Sequence, residues 1–378
     1  MSDRRDFLRY IPVAGTTVAA AGMAVQSGVA SANVGSSGFS TLVASSEAPQ
    51  EMQDAADFVC TGSADQNTIN QAINAQAGLG GVVALSPGRF NCTGPVRVRS
   101  KTLLTGSGRS SVLTATQSWS GALIQANNSS VDKVTICNLA LNGRSMDISG
   151  ILLNVTSNAN FEDGSPDAAN YLTDVYVYNV RRHGVYITGS RNRAACLTRV
   201  RVWQAGGYGF VINSPDGFIH QCESGSSGLD GFRIQSANNR ITNCKAWYSD
   251  GSGFNIRSVR NELTACESQD NERHGFYIAS GQVSLTSCHA DSNSWNRDTP
   301  VARYFGFCII PNRSRVQLIG CQAYDKNEGG RGHWQLYGFA LQRNNTLCQI
   351  SGIGRDNVQG ALYQGSGVSN NSIDILGD

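Results

Sequence analysis

Four copies of one short pattern at a fixed interval constrain this chain more than any other feature. The pattern is Gly, Phe, any residue, Ile: it appears as GFVI, GFRI, GFNI and GFYI from Gly209, Gly231, Gly253 and Gly275, each starting 22 residues after the last. A cysteine marker keeps the same step at Cys222, Cys244, Cys266 and Cys288. A period in the twenties means that each unit is one coil of a solenoid, buried only against its neighbours. The glycine marker continues at Gly121, Gly150, Gly184, Gly306, Gly338 and Gly360, which predicts about ten coils. Three intervals are long: 34 residues after Gly150, 31 after Gly275 and 32 after Gly306. Stacking fixes the perimeter of a coil, so the surplus must leave as loops near 157–170, 289–305 and 322–337. The last two rise from the same corner of successive coils as one wall. A final strand is expected over Ile373–Leu376 with no capping helix after it. That leaves an edge for a terminal loop or for a homo-oligomer, such as a trimer, to cover.

The 378-residue length exceeds an ordinary single core, but a solenoid grows by adding coils. With 42 Gly and 8 Pro the chain suits many short strands joined by tight turns. Lys and Arg number 30 against 28 Asp and Glu, and no basic stripe argues for a nucleic-acid partner.

Residues 1–32 have the form of an export signal. Asp3-Arg4-Arg5-Asp6-Phe7-Leu8-Arg9 is close to the twin-arginine pattern; an apolar stretch from Ile11 to Val25 follows, and then Ala30-Ser31-Ala32 as a small-residue cleavage site. The reading predicts a secreted or periplasmic protein with no membrane anchor once the signal is removed. Residues 33–56 form a polar lead open to disorder, and 57–378 form a single all-β domain. The twin-arginine route carries folded proteins, so this chain folds in a reducing compartment. Cys222, Cys244, Cys266, Cys288 and Cys321 are therefore expected as a stack of free buried thiols. Side chains in one register point the same way and make poor bridges. Cys60 with Cys92 is the one pair to test as a disulfide.

Ahead of the repeats, Asp65–Asn74 carries Ile69, Ala72 and Ile73 at i, i+3, i+4, which predicts a short amphipathic helix. Gly80-Gly81 ends it. The strand Val82–Leu85, the turn Pro87-Gly88-Arg89-Phe90, the strand Val96–Val98 and Leu104-Thr105-Gly106-Ser107-Gly108 follow. Taken together, residues 57–108 resemble the N-terminal region of the pectate-lyase-like superfamily, found in secreted bacterial enzymes and phage tail proteins. The resemblance implies a right-handed parallel β-helix with this helix plugging its N-terminal end. It leaves the chemistry open, because the superfamily holds lyases, hydrolases, epimerases and transferases.

Strand alternation fixes what the repeats display. In GFRI, Phe232 and Ile234 point inward and Arg233 outward. One outward column is Tyr186, Val211, Arg233, Asn255, Tyr277, Cys308 and Ala340; a second includes Gln235 and Arg257. Residues just before the glycines include His183, Tyr208, Asp230, His274, Phe305 and Tyr337. Aromatic rings, amides and arginines on one strip suit a groove for a polysaccharide, in which Arg meets a uronate carboxylate.

The catalytic candidates are Asp230, Asp250, Asp270, Arg233 and His274. A hydrolase or transferase needs two carboxylates across the scissile bond, and Asp230 with Asp250 or Asp270 is the candidate set. A lyase or epimerase needs a base and positive charge instead, from Arg233, Arg257, His274, Lys326 or His333. Ca²⁺ bridged by acidic turns is an option for that chemistry alone, and no metal ligand is assigned. Substrate-binding candidates are Arg257, Asn255, Tyr277, Trp295, Arg303, Lys326, His333 and Trp334. The expected function is an exported enzyme that cleaves or rearranges an extracellular polysaccharide. The alternative is a non-catalytic glycan-binding or spike-like protein. Asp230-Gly231-Phe232-Arg233-Ile234 and His274-Gly275-Phe276-Tyr277-Ile278 faintly resemble two polygalacturonase strands. Their 44-residue separation is one coil too many, so that assignment is not transferred. The Asp-Pro-His signature of alginate epimerases is absent.

Overall fold

Each repeat contributes short strands whose alternate residues point inward, and each strand pairs in parallel with its equivalent in the coils before and after. The structure, a computed structural model, describes residues 40–78, 80–158, 167–295, 303–326 and 334–377, which belong to one compact unit. The Gly-Phe-x-Ile strands lie in a parallel sheet of 11 strands, among them Phe210–Asn213, Phe232–Ile234, Phe254–Ile256, Phe276–Ile278, Phe307–Ile309 and Phe339–Leu341. The other strands form a parallel sheet of 21 strands that makes up the remaining sides. The chain is thus a parallel β-helix, as the 22-residue period requires.

The repeated Phe is the spine of the core. Phe210, Phe232, Phe254, Phe276, Phe307 and Phe339 are fully buried. They stack with centroids 4.5–5.0 Å apart and planes within 7° of parallel. The strand spacing sets that distance. The cysteine register forms a second internal ladder. Cys222, Cys244, Cys266, Cys288 and Cys321 are buried, and each Sγ donates to the carbonyl two residues earlier and to one in the preceding coil.

All eleven cysteines are free, Cys60 and Cys92 included, and burial pushes those two thiols up to about 12. Thiolate is the reactive form, so those two thiols are held unreactive, and burial shields the other buried cysteines from reagents in solution. A thiol reagent is expected to label only half-buried Cys137 and Cys196 quickly in the native protein, and all eleven after unfolding without reductant. Nine labelled thiols in the unfolded protein would instead reveal one disulfide.

The corners explain how short strands turn without proline. Gln204, Ser226, Tyr248, Asp270 and Ser292 occupy one equivalent turn position, each with φ between 50° and 56°. Left-handed backbone at a non-glycine residue costs about 1 kcal/mol, and side-chain hydrogen bonds between coils offset it. Asn293 Oδ1 accepts from Asn271 Nδ2 at 3.0 Å, and Gln335 Nε2 donates to Asn357 Oδ1 at 2.7 Å. Asn239 Nδ2 donates to Asn261 Oδ1 at 3.1 Å in a second ladder.

At the N-terminal end the expected helix spans Gln66–Ala75 and buries Gln66, Ile69, Ala72 and Ile73. Its polar side chains bind the backbone of the first coil: Asn70 Oδ1 accepts the Arg97 N–H at 2.7 Å and Gln66 Oε1 accepts the Thr93 N–H at 2.9 Å. Asp65 accepts the Asn91 N–H at 2.7 Å. One expectation needs correction. The lead at 33–56 is built into the fold from Ser40 onward: Ser40–Ala44 pairs with Gly81–Leu85 and Phe58–Val59, and Gln50–Asp54 is a short helix. Its apolar Val43 and Ala44 are fully buried, which a reading of the segment's polar composition missed.

At the other end Leu362–Gln364 and Ser372–Gly377 are the last strands, and among the described residues no strand pairs with their far edges. Parts of all three expected loops lie outside the described residues. The flanks of the last two do meet, through the Leu336 N–H donating to the Tyr304 carbonyl at 2.8 Å.

Candidate active site

The predicted outward column is real in its register: Tyr186, Val211, Arg233, Asn255, Tyr277, Cys308 and Ala340 pair strand by strand. It is not uniformly solvated. Val211, Asn255, Cys308 and Ala340 are buried, and beside the last two Phe305 meets Tyr337 at 6.2 Å, and Tyr337 meets Tyr363 at 5.5 Å.

A cleft of about 540 Å³ opens at the middle of this face, next to the corner that precedes each Gly-Phe strand. Its walls bring together residues from four coils: Tyr208; Asp230 with Arg233; Asp250, Asn255 and Arg257; and Glu272, Arg273, His274 and Tyr277, with Tyr304 at the edge. Of the catalytic candidates, Asp230, Asp250, Arg233 and His274 share it. Asn255, Arg257 and Tyr277 join them from the binding set.

Asp230 is the anchored carboxylate. Only 7 % exposed, it accepts the Ser252 N–H on Oδ1 at 3.0 Å and Asn255 Nδ2 on Oδ2 at 2.8 Å, with Arg233 Nη1 3.5 Å away. Arg233 lies over the Tyr208 ring at 4.7 Å, so its guanidinium is held by a carboxylate and a π face together. Asn255 must present its amide nitrogen to Asp230, which leaves Oδ1 facing elsewhere, buried and without a hydrogen-bond partner. Arg233 Nε is likewise buried and unpartnered.

Asp250 differs. Its side chain stands at the rim, exposed, yet the surrounding protein desolvates it enough to raise its pKa above the usual carboxylate value. The shift is in the direction that suits a proton donor. Glu272, in the turn before the Gly275 strand and one of the carboxylates able to serve as acid or base, is a third carboxylate in the cleft.

His274 accepts the Phe305 N–H on Nδ1 at 3.1 Å, which puts its proton on Nε2. Rings of Tyr277, Phe305 and Tyr304 surround it at 4.9–5.4 Å. Burial first, and Arg273 second, hold its pKa down to about 3. His274 is therefore a neutral donor and not a cation or a base. Because the folded pKa lies below the ordinary value near 6.5, the unfolded chain binds the proton first. Stability is fully present above pH ~6.5 and is lost as pH falls toward ~3. Melting temperature is expected to drop more steeply from pH 6.5 to 4 in the wild type than in His274→Asn, whose amide oxygen replaces the acceptor without titrating.

The remaining candidates lie elsewhere. Asp270 occupies the left-handed turn position, accepts Gln269 Nε2 at 3.1 Å and is not part of the cleft wall. The turn points it onto the neighbouring side of the coil. Lys326 Nζ pairs with Asp291 at 3.0 Å on that same neighbouring side. Trp295 packs against Tyr248 at 5.8 Å, Arg303 is exposed, and the Trp334 N–H donates to Asp325. His333 lies outside the described residues. Among the described residues no cluster of three or more His, Cys, Asp or Glu side chains is arranged to hold a metal ion.

Residues 149–347 match the family described as right-handed β-helix region. No curated protein matches the chain. Among solved structures, the A-module of the Azotobacter vinelandii mannuronan C-5 epimerase AlgE4 is similar with a TM-score of 0.61 at 15 % identity, over 84 % of this chain and 95 % of that one. An Acinetobacter phage tailspike is similar with a TM-score of 0.56 at 14 % identity, over 79 % of this chain and 58 % of that one. At such identities the likeness is one of fold, and it includes the right hand of the coil.

Proposed function

The chain belongs to the right-handed β-helix family, and on that premise we propose that it is an enzyme acting on an acidic polysaccharide in the cleft between Asp230 and Asp250. One observation carries the reading: a fixed carboxylate and a second carboxylate of raised pKa line one cleft with three arginines. Asp250 delivers a proton to the glycosidic oxygen. Asp230, oriented by Ser252, Asn255 and Arg233, serves as nucleophile or as the base that activates water. Arg257 and Arg273 stand at the exposed rim, where a uronate carboxylate arrives from solvent. The name of one solved relative, a mannuronan C-5 epimerase, fits an acidic-polysaccharide ligand. Hydrolysis or transfer is the reading because two carboxylates share the cleft; elimination, with Asp230 as base and an arginine as the cation, is the alternative that the test separates.

The test is incubation of the purified chain with uronate-containing and neutral glycans. New reducing ends without absorbance at 235 nm support a hydrolase. Growth at 235 nm replaces it with a lyase, and no change across the panel removes the enzyme reading in favour of a binding or spike-like protein. We also propose export through the twin-arginine route from the motif at Arg4-Arg5. Replacing both arginines by lysine is expected to leave the chain in the cytoplasm; unchanged export would refute that route.

A further inference from the structure

Two of the five tryptophans, Trp203 and Trp247, lie round the corner from the cleft on the 21-stranded sheet, in a place the proposed reaction does not use, and a third, Trp295, follows that sheet's strand His289–Asp291. Strands Arg201–Ala205, Glu223–Gly225 and Lys245–Trp247 stack so that Trp203, Gly225 and Trp247 share one outward column. The missing side chain in the middle is what allows the column to form. A Cβ on Gly225 would sit 2.3 Å from the Trp203 ring and 2.9 Å from Trp247 Nε1, so the two indoles lean together over bare backbone with centroids 5.2 Å apart. Trp247 continues to Tyr248 at 5.2 Å, and Tyr248 to Trp295 at 5.8 Å. All four rings are half-buried. Lys245, in the column alongside, donates through Nζ to Glu267 of that column at 3.0 Å and to Gln269, which follows Trp247 in the tryptophan column, at 2.7 Å.

We propose that this column is a second, non-catalytic glycan-binding platform that holds the same polymer where it leaves the cleft. Flat aromatic rings beside a row of charged and amide groups match a sugar, which has an apolar face and a hydroxylated edge. A protein partner is the other common occupant of such aromatics, and continuity with the cleft decides against it. Tyr248 is two residues before Asp250 in the same turn. Ser294, next to Trp295, accepts the N–H of the cleft residue Tyr304 at 3.2 Å. A polymer lying in the cleft reaches the platform without crossing unrelated surface. The proposal rests on the glycan reading of the cleft for the identity of its ligand, but not on catalysis.

The test is affinity electrophoresis of the full chain in gels containing alginate, polygalacturonate, hyaluronan or mixed-linkage β-glucan. Wild type and Asp250→Asn are expected to be retarded alike by at least one polymer. Trp203→Ala/Trp247→Ala and Gly225→Ala should lose about tenfold in affinity. Trp247→Phe, which keeps a ring and disturbs folding least, should keep most of it, and added polymer should shift the tryptophan fluorescence of the wild type but less that of Trp247→Phe. No retardation of wild type in any gel, or equal retardation of the double-alanine chain, overturns the platform. A dimer that dissociates in the double-alanine chain assigns the face to a second copy and overturns it too. Retention that depends on the tryptophans without any glycan turnover sustains the platform while removing the enzyme reading. Turnover with no such dependence does the reverse.

Discussion

Asp250→Asn is expected to lower glycan turnover by about 10²- to 10⁴-fold, the range that a positioned proton donor contributes. Folding should be unaffected, because the carboxyl stands at the rim and the amide is isosteric. KM should change little, since the proton moves only in the transition state. The wild-type rate should fall on the alkaline side as Asp250 ionises, and its raised pKa moves that limb to higher pH than an ordinary aspartate would give. Asp230→Asn should be as damaging to turnover but for a mixed reason. It also disturbs the buried contacts with Ser252, Asn255 and Arg233, so a stability loss accompanies it. Single-turnover kinetics together with thermal melts separate the two variants. Asp250→Asn turning over at wild-type rate would remove this residue from the chemistry.

Phe254→Ala is expected to cost about 3–5 kcal/mol, the usual loss for truncating a buried aromatic. The ring is fully buried and touches Phe232 at 4.8 Å and Phe276 at 4.9 Å, so its removal opens a void between two coils. In a solenoid stability resides in interfaces between neighbours, and a gap in the middle uncouples the halves. Urea unfolding should therefore show a lower midpoint and a second, earlier transition. Phe210→Ala, nearer the N-terminal helix, should leave the later coils folded. A single transition with a loss under about 1 kcal/mol would contradict the spine described for the core.

Most of the scaffold was legible in the chain because one interval repeats. The 22-residue step of the glycines and cysteines required parallel stacking, and strand alternation then assigned Phe232 to the core and Arg233 to the outside. The cleft was half legible. Asp230, Arg233, Asn255 and His274 follow from register alone, but Asp270 did not join them. It falls on a left-handed turn residue, and one residue of turn geometry decides which side a carboxylate faces. The chemistry of His274 was hidden for a different reason. Its low pKa comes first from burial, to which the rings of Tyr304 and Phe305, some 30 residues on and beyond an inserted loop, contribute, and second from Arg273. Trp203 and Trp247 were overlooked although the signal was present. They stand 44 residues apart with Gly225 at the midpoint, a column in the second sheet that the same alternation argument reveals.

The most direct measurement is a crystal structure of Asp250→Asn with an oligosaccharide from the polymer that the wild type degrades. A glycosidic oxygen should lie about 2.6–3.2 Å from the residue 250 side chain, with Asp230 on the opposite face of the sugar. A carboxylate of the sugar should meet one of Arg233, Arg257 and Arg273. An oligosaccharide bound elsewhere on the coil, with water alone between Asp230 and residue 250, would contradict the account.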